Sequence, residues 1–272
     1  HSWRAVMTVQ VFMHFFERVQ SFYNRMCWLS KFKPTMIHTI YSLISIKFFL
    51  DIAVKCKYKD SHFLFKAQDM SAVKEVLFDE EYKFLQSRLN NRDKPILLDV
   101  GAHIGMFSIW ALNVNESSEI ISLEASQKTF STLQKNCSLQ KNSNWSVMHG
   151  AAWKNNKTIS FQAEGDSMGH KVSNEGHGKV QGVTLADIIA KACQKPEDMV
   201  DILKIDIEGA EENFLLDSEE NRASLQRVKS VVVELHPNYC DVSGVIALLN
   251  NIFEHVEEQT DRLSNKPLLY CY

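Results

Sequence analysis

From residue 95 onward, short apolar runs alternate regularly with amphipathic stretches. The apolar runs are typical of buried strands, and the stretches between them place apolar residues at helical spacing. This alternation predicts an α/β fold with a doubly wound, mostly parallel sheet. Strands are predicted at 96–100, 119–123, 145–149, 157–162, 200–206 and 229–235, helices at 104–113, 127–138, 184–193, 210–216 and 242–252, and a closing edge strand at 266–272.

The first 66 residues are predicted to form a helical extension to a domain at 67–272. Apolar residues recur at helical spacing over 8–30, and a second helix is predicted over 36–54. The second segment contains Lys47 and Asp51, and such charges are costly inside a membrane, so a buried or interfacial helix is expected. Further elements are predicted as a strand or hairpin at 58–69 and a helix at 72–89.

The charge is distributed unevenly over these two parts. The net charge is −3, but residues 1–66 carry ten Lys/Arg against three Asp/Glu, which leaves −10 for the rest of the chain. The basic extension is interpreted either as a helical cap or as a face for an anionic membrane or a lipid-linked substrate. The remainder has no stripe of basic and aromatic residues, so no nucleic-acid partner is expected.

Six cysteines are scattered through the chain without the spacing of a metal site. This pattern is typical of reduced thiols, and the opening residues show no secretory signal pattern. A cytoplasmic protein, peripheral to a membrane if the basic extension binds one, is therefore expected.

Two glycines, Gly101 and Gly105, stand in the turn between the first predicted strand and its helix. Such a turn can bring backbone N–H groups close to a ligand, and Asp99 before it could order the loop or attract an ammonium group. Glu124 ends the second strand, 23 residues after Gly101, where an acid can bind a ribose diol. The G-x-x-x-G spacing lacks the third glycine of the dinucleotide fingerprint and favours a nucleoside cofactor without phosphates, such as S-adenosylmethionine.

Several segments occur in an order that resembles one family. They are "LLDVGAHIGMFSI", "LEASQKTFSTLQKN", "GAAW", "VTLADII", "ILKIDIEGAEENFL" and "VVVELH". Together they resemble the FkbM-type methyltransferases, which implies a class I enzyme that transfers a methyl group from S-adenosylmethionine to a hydroxyl of a sugar, glycan or secondary metabolite. The chain departs from the family at His103, where asparagine is usual, and at "EASQ", where the family has "EP.P".

The predicted cofactor site combines the glycine turn with the ends of the next strands. A small pair after the third strand would let the adenine ring stack there. The site comprises Asp99, Gly101, Ala102, His103, Gly105, Phe107, Glu124, Ala125, Ser126, Gly150, Ala151 and Asp206.

The predicted catalytic residues are His236, Asp206 and Glu208. Asp206 and Glu208 share one parity at a strand end, and His236 follows the strand expected beside it, so the three should converge. His236 could be the base that removes the acceptor proton, with a carboxylate orienting it. The same three residues could instead hold a divalent metal. Lys204 and Glu234 are expected to form a buried structural ion pair.

Two other functions stay open at this point. An N- or nucleic-acid methyltransferase could use the same fold, because a fold alone does not choose the acceptor. A non-catalytic binding module could also retain it. The glycine-rich stretch 164–182, with His170 and His177, is interpreted as a loop that could contact substrate.

Overall fold

The structure is a computed structural model that describes residues 53–140, 144–162, 171–172, 178–260 and 266–272. The chain divides into two units, His1–Ala67 and Gln68–Tyr272. The described part of the first is an antiparallel hairpin of β1 (Val54–Tyr58) and β2 (Ser61–Phe65). The hairpin predicted at 58–69 thus starts earlier than expected. The helix predicted over 8–30, and most of that over 36–54, lie outside the described residues.

The segment before the central sheet is not the single helix predicted over 72–89. Its backbone turns at Glu80, whose φ of 55° lies in the left-handed region and ends the helical path. The pieces are a 3-10 turn Ala67–Asp69, α1 (Met70–Val73), a π-helical turn Lys74–Phe78, a 3-10 turn Lys83–Leu85 and α2 (Gln86–Asn90).

The predicted strands from residue 96 onward are confirmed to within a few residues at their ends. The strands are β3 (Ile96–Val100), β4 (Glu119–Glu124), β5 (Asn144–His149), β6 (Ala151–Ala152), β7 (Thr158–Gln162), β8 (Lys171–Val172), β9 (Gly178–Val183), β10 (Ile202–Ile205), β11 (Val231–Glu234), β12 (Val256–Glu258) and β13 (Leu268–Cys271).

The predicted doubly wound, mostly parallel sheet is also confirmed. Among the described residues it has seven strands in the order β12-β13-β11-β10-β3-β4-β5, and only β13 runs antiparallel to its neighbours. The strand order reverses between β3 and β10, so a ligand crevice is expected at their carboxyl ends. The segment predicted as an edge strand at 266–272 forms β13, but the edge position is wrong because the unpredicted β12 lies outside it.

The helices that flank this sheet lie close to the predicted positions, except that the helix predicted over 210–216 is a π-helical turn and the helix over 219–224 was not predicted. They are α3 (Met106–Val114), α4 (Gln127–Ser138), α5 (Leu185–Ala192), α6 (Glu219–Ser224) and α7 (Val242–Ile252), with a π-helical turn at Glu212–Leu216 and a 3-10 turn at Leu225–Arg227. All residues of β10, β11 and β13 are buried, as expected for strands covered on both faces. In the described part of the chain, no helix has the length and apolar character needed to cross a bilayer.

A smaller sheet of order β6-β9-β7-β8 follows the fifth strand. It corrects the prediction of a loop over 164–182, because β8 and most of β9 lie inside that stretch. His170 and His177 lie outside the described residues.

Candidate active site

The turn after β3 uses three left-handed residues to reverse the chain into α3. The φ angles are 77° at Gly101, 52° at His103 and 88° at Gly105. The N–H groups of Gly101 and Ala102 both donate to the carbonyl of Leu123 on β4, at 3.0 and 2.9 Å. These amides hold the turn against the neighbouring strand, which corrects the expectation that they face a ligand.

The two glycines are required by close packing on neighbouring elements. A Cβ at position 101 would lie 1.8 Å from the carbonyl oxygen of Asp206, and one at 105 would lie 2.7 Å from the Trp145 ring. Gly101 therefore lets the ends of β3 and β10 approach, and Gly105 lets α3 begin against β5. This packing explains why glycine is needed at both positions, and the cofactor contact predicted for them stays a prediction.

Glu124 ends β4 with both carboxylate oxygens fixed by backbone groups. Oε2 accepts the N–H of His103 at 2.9 Å, and Oε1 accepts the N–H of Ser126 at 2.8 Å. Burial raises the pKa of Glu124, while the charge of His103 and these two N–H groups act in the opposite direction. The carboxylate is thus held rigidly at the mouth of the turn, with lone pairs left for a further donor.

A cavity lies at the carboxyl ends of the strands where the sheet order reverses. It holds about 1010 Å³ of empty space, counted out to its open mouth. The predicted site residues in its wall are Gly101, Ala102, His103, Phe107, Glu124, Ala125, Gly150, Ala151, Asp206 and Glu208. Unpredicted wall residues include Glu75, Glu81, Tyr82 and Glu234.

Four predicted residues lie behind this wall instead. Asp99 is fully buried beneath the turn, and His236 is 4% exposed behind the carboxylates. Gly105 packs on Trp145, and the Ser126 hydroxyl caps α4 by accepting the N–H of Thr129. These four residues support the wall from behind. The cofactor contacts predicted for Asp99, Gly105 and Ser126, and the catalytic role predicted for His236, stay predictions.

Lys204 joins the ends of β3 and β10 from beneath the cavity. Its Nζ donates to the carbonyl of Gly101 at 2.8 Å and lies 3.5 Å from Asp99 Oδ1 and 3.8 Å from Asp206 Oδ2. Burial alone lowers the pKa of Lys204, but Asp99, Asp206 and Glu234 together raise it, so the ammonium stays charged. The predicted Lys204–Glu234 ion pair is thus corrected, since the pairs of Lys204 are with the two aspartates.

His236 lies among four carboxylates. Its Nδ1 is 2.8 Å from Glu211 Oε1, and its Nε2 is 3.0 Å from Glu208 Oε2, with Asp206 at 3.8 Å and Glu234 at 3.9 Å. Burial alone lowers the pKa of His236, but hydrogen bonds to Glu208 and Glu211 raise it to about 10. The ring is therefore an imidazolium at neutral pH and has no lone pair free to accept a proton. The role of general base predicted for His236 stays a prediction, and this geometry favours a positioning role instead.

Two partners of this cluster were missed by the sequence analysis. Glu211 is fully buried and accepts the N–H of Gly209 at 3.2 Å as well as bonding His236. Lys266 Nζ lies 3.3 Å from Glu208 Oε2 and 3.2 Å from Glu234 Oε1. A glutamate within the apolar stretch 210–216 was a signal for the first, whereas nothing local marks Lys266.

The site also contains a set of groups that could bind a metal ion. Ligand atoms of Asp206, Glu234 and His236 lie within 4.8 Å of one another. Two of these belong to the predicted metal set, and Glu234 takes the place predicted for Glu208. Two carboxylates and one imidazole form a reasonable donor set for a divalent cation. Binding would require His236 to release a proton, because only the neutral ring has a lone pair for the metal.

Comparison with known proteins identifies the family. The sequence profile described as "Methyltransferase FkbM domain" matches residues 99–263, more than half of the chain. The chain belongs to the FkbM methyltransferase family. The predicted resemblance is confirmed, and the protein is a methyltransferase for whose class S-adenosylmethionine is the expected cofactor.

Individual relatives are more distant. "Methyltransferase 1" of Beauveria bassiana (strain ARSEF 2860) is 24% identical over 183 residues, which cover 60% of this chain and 71% of the relative. The structure is similar to human methyltransferase-like protein 13 in complex with SAH (12% identity, TM-score 0.45, 71% of this chain and 81% of that one). It is also similar to precorrin-6y C5,15-methyltransferase from Geobacter metallireducens GS-15 (14% identity, TM-score 0.42, 70% and 86%).

Proposed function

We propose that this FkbM-family protein transfers the methyl group of S-adenosylmethionine to a hydroxyl oxygen of a sugar, glycan or secondary metabolite. The observation that supports this most is the position of Asp206 and Glu208. Both residues lie in the wall of the cavity, and the backbone of Asp206 packs directly against Gly101 in the turn after β3. A proton acceptor is thus available where a hydroxyl acceptor would approach the cofactor.

The wall residues fit S-adenosylmethionine chemically. Glu124, held by two backbone amides, would accept hydrogen bonds from the ribose hydroxyls. Gly150 and Ala151 leave space for a flat adenine ring, and Phe107 supplies an apolar surface. Bound there, the cofactor would supply an electrophilic methyl group on a positively charged sulfur, which the carboxylates of the cavity would attract.

Glu208 is the residue that we assign as proton acceptor. A bound methyl donor would supply the electrophilic carbon, and its sulfur would leave with the electron pair of the broken carbon–sulfur bond. The Glu208 carboxylate would accept the proton of the attacking hydroxyl. Glu208 has a φ of 54°, a conformation that costs about 1–3 kcal/mol in a residue other than glycine and is often retained at functional sites. This backbone directs its side chain to the wall, beside Lys266 and His236.

His236 then serves as a positioning residue. As an imidazolium it hydrogen-bonds Glu211 on one side and forms an ion pair with Glu208 on the other, which holds Glu208 in place from behind. Removing the ring would leave several carboxylates close together without their shared cation, and like charges at this distance repel.

A second route to a deprotonated hydroxyl uses a metal ion. Asp206, Glu234 and His236 would hold a divalent cation, which would lower the pKa of a coordinated hydroxyl. Turnover measured before and after exhaustive chelation separates the two routes. Full activity after chelation would exclude the metal, whereas activity restored only by added Mg²⁺ or Mn²⁺ would exclude unassisted transfer to Glu208.

The decisive experiment follows transfer of a radiolabelled methyl group to panels of methyl glycosides, amines and nucleic acids. We expect labelled product in the panel of methyl glycosides, whose hydroxyl groups are the acceptors. Glu208→Gln should lower turnover by about 10²-fold or more with little change in cofactor affinity. Glu220→Gln, on the exposed face of α6, is the matched control and should be as active as the unaltered protein.

Each alternative function predicts a different result in this assay. Label appearing only on amines or nucleic acids would contradict O-methylation. Tight cofactor binding without transfer to any panel would favour a non-catalytic module. Undiminished turnover in Glu208→Gln would refute the role of Glu208 as the proton acceptor without contradicting O-methylation.

A further inference from the structure

Among the described residues, a side-chain pair links the segment before the central sheet to the turn after β3. Asp69 Oδ1 lies 3.4 Å from Nε2 of His103. The Asp69 side chain is 2% exposed and that of His103 is 16% exposed, so the contact is largely shielded from water. A polar contact shielded in this way is stronger than one on the surface, because water competes less for its two groups.

The position of Asp69 makes this contact unusual. Asp69 stands at the N-cap of α1, where an aspartate usually accepts a backbone N–H of the first helical turn. Its side chain makes no such capping bond. By contrast, Asp241 at the N-cap of α7 accepts the N–H of Gly244 at 3.0 Å. The carboxylate of Asp69 is directed to His103 instead of to its own helix.

His103 in turn touches the carboxylate at the mouth of the turn. Its backbone N–H donates to Glu124 Oε2 at 2.9 Å, and its φ of 52° is what points that N–H toward β4. Such a conformation is unfavourable for a residue with a Cβ unless its surroundings hold it. Fixing the imidazole ring therefore fixes the backbone group that orients Glu124.

The same segment contributes to the cavity wall. Three residues that follow Asp69 in α1 and the π-helical turn line the cavity, namely Ala72, Glu75 and Val76. Glu124 and Ala125 line the same cavity. Any shift of this segment relative to the turn would therefore change the shape of the cavity. The Asp69–His103 pair is a direct side-chain connection between these two parts of the wall.

We propose that Asp69 is a positioning residue for cofactor binding, acting through His103 on Glu124 and tying the segment 69–78 to the turn. This inference rests on the proposed role of Glu124 in binding the cofactor. Asp69 itself does not contact the cofactor in this scheme. Its effect depends on the imidazole of His103, so the two residues should behave as one unit.

A double-mutant cycle tests this dependence. S-Adenosylmethionine is titrated calorimetrically into the unaltered protein, Asp69→Asn, His103→Asn and the double variant. Asparagine tolerates the left-handed backbone at 103 but ends nearer the main chain than histidine. Each single change should weaken binding by roughly 3- to 30-fold, and the double change by no more than either alone. Asp241 caps α7 and is the control position, so Asp241→Asn should leave the affinity for S-adenosylmethionine unchanged.

Hydrogen exchange supplies a readout that a general loss of stability would not reproduce. Addition of S-adenosylmethionine should slow exchange over residues 70–78 in the unaltered protein and in Asp241→Asn, but not in His103→Asn. If Asp69→Asn does not fold, the His103→Asn titration and exchange decide the question alone.

The results that overturn the inference are distinct from those that overturn the function. Unaltered affinity in Asp69→Asn or His103→Asn, or losses that multiply in the double variant, would refute the positioning role while leaving the methyltransferase assignment intact. If the unaltered protein does not bind S-adenosylmethionine, the proposed cofactor and this inference both fail.

Discussion

Replacing Gly101 by alanine tests whether the turn serves packing or cofactor space. The new Cβ would lie 1.8 Å from the Asp206 carbonyl oxygen, more than 1 Å short of the 3.0 Å that real Cβ contacts respect. The obstructing atom belongs to the backbone at the end of β10, so a side-chain rotation cannot relieve the contact. The ends of β3 and β10 would have to separate, which strains the hydrogen bond from Asp206 N to Val100 O.

The expected cost has two parts. A residue with a Cβ in the left-handed conformation of Gly101 costs roughly 1–2 kcal/mol. Forcing an extra carbon into a closely packed position costs about 1–3 kcal/mol more. A total of about 2–5 kcal/mol corresponds to a Tm lower by about 5–20 °C for a protein of this size.

Thermal unfolding and cofactor titration together decide the matter. Gly244→Ala is the matched control, because the atoms nearest its Cβ would be side-chain atoms of Asp241 and Leu216 rather than backbone, and alanine favours the helix by about 1 kcal/mol. Its Tm should change little. If Gly101→Ala melts within about 2 °C of the unaltered protein but no longer binds S-adenosylmethionine, the packing explanation is wrong and the side chain occupies cofactor space.

Three further predictions concern the cofactor, the imidazolium and the basic extension. Glu124→Ala should raise the Kd for S-adenosylmethionine by about 10- to 150-fold, since hydrogen bonds to a charged group contribute about 1.5–3 kcal/mol; unchanged Kd in calorimetry would refute the ribose contact. His236 has a pKa of about 10 in the folded protein against 6.5 ordinarily, so its stabilisation is complete below pH 6.5 and is lost as the pH rises through 10. The difference in Tm between the unaltered protein and His236→Gln should therefore shrink from pH 6 to 10 in metal-free buffer, and a constant difference would contradict this. Residues 1–66 should bind anionic vesicles more strongly than neutral ones in co-sedimentation, with loss in high salt, at about 1 kcal/mol for each basic residue; equal recovery would leave only the helical cap.

The central sheet could be predicted because its buried strands are short apolar runs with clear breaks between them. Ile96–Val100 and helix Gln127–Ser138 were predicted at their observed ends. The strand Val256–Glu258 escaped prediction because three residues with two exposed glutamates show no apolar pattern. The prediction of one helix over 72–89 was wrong because the chain turns at Glu80 in a left-handed backbone conformation. Nothing in the sequence predicts that conformation for a glutamate.

Strand parity and the rule for switch points were enough to bring Asp206, Glu208 and His236 together. They could not assign roles, because those depend on distances across the chain. His236 lies 25 residues from Glu211 in sequence but 2.8 Å from it in space. That contact helps to raise the pKa of the imidazole, which favours the protonated ring over the neutral base. Likewise, the partner of Lys204 is Asp99, 105 residues away, rather than the nearer Glu234.

The ammonium of Lys204 has a consequence for how such an enzyme can diversify. One cation holds the carbonyl of Gly101, in the turn where we propose that the cofactor binds, and approaches Asp206, in the wall where we propose that the acceptor binds. A substitution at 204 would therefore alter both at once, and selection for a new acceptor could not act on this residue without disturbing the cofactor. Variation in acceptor preference is expected to arise in the loops after the strands, while the lysine beneath them stays fixed.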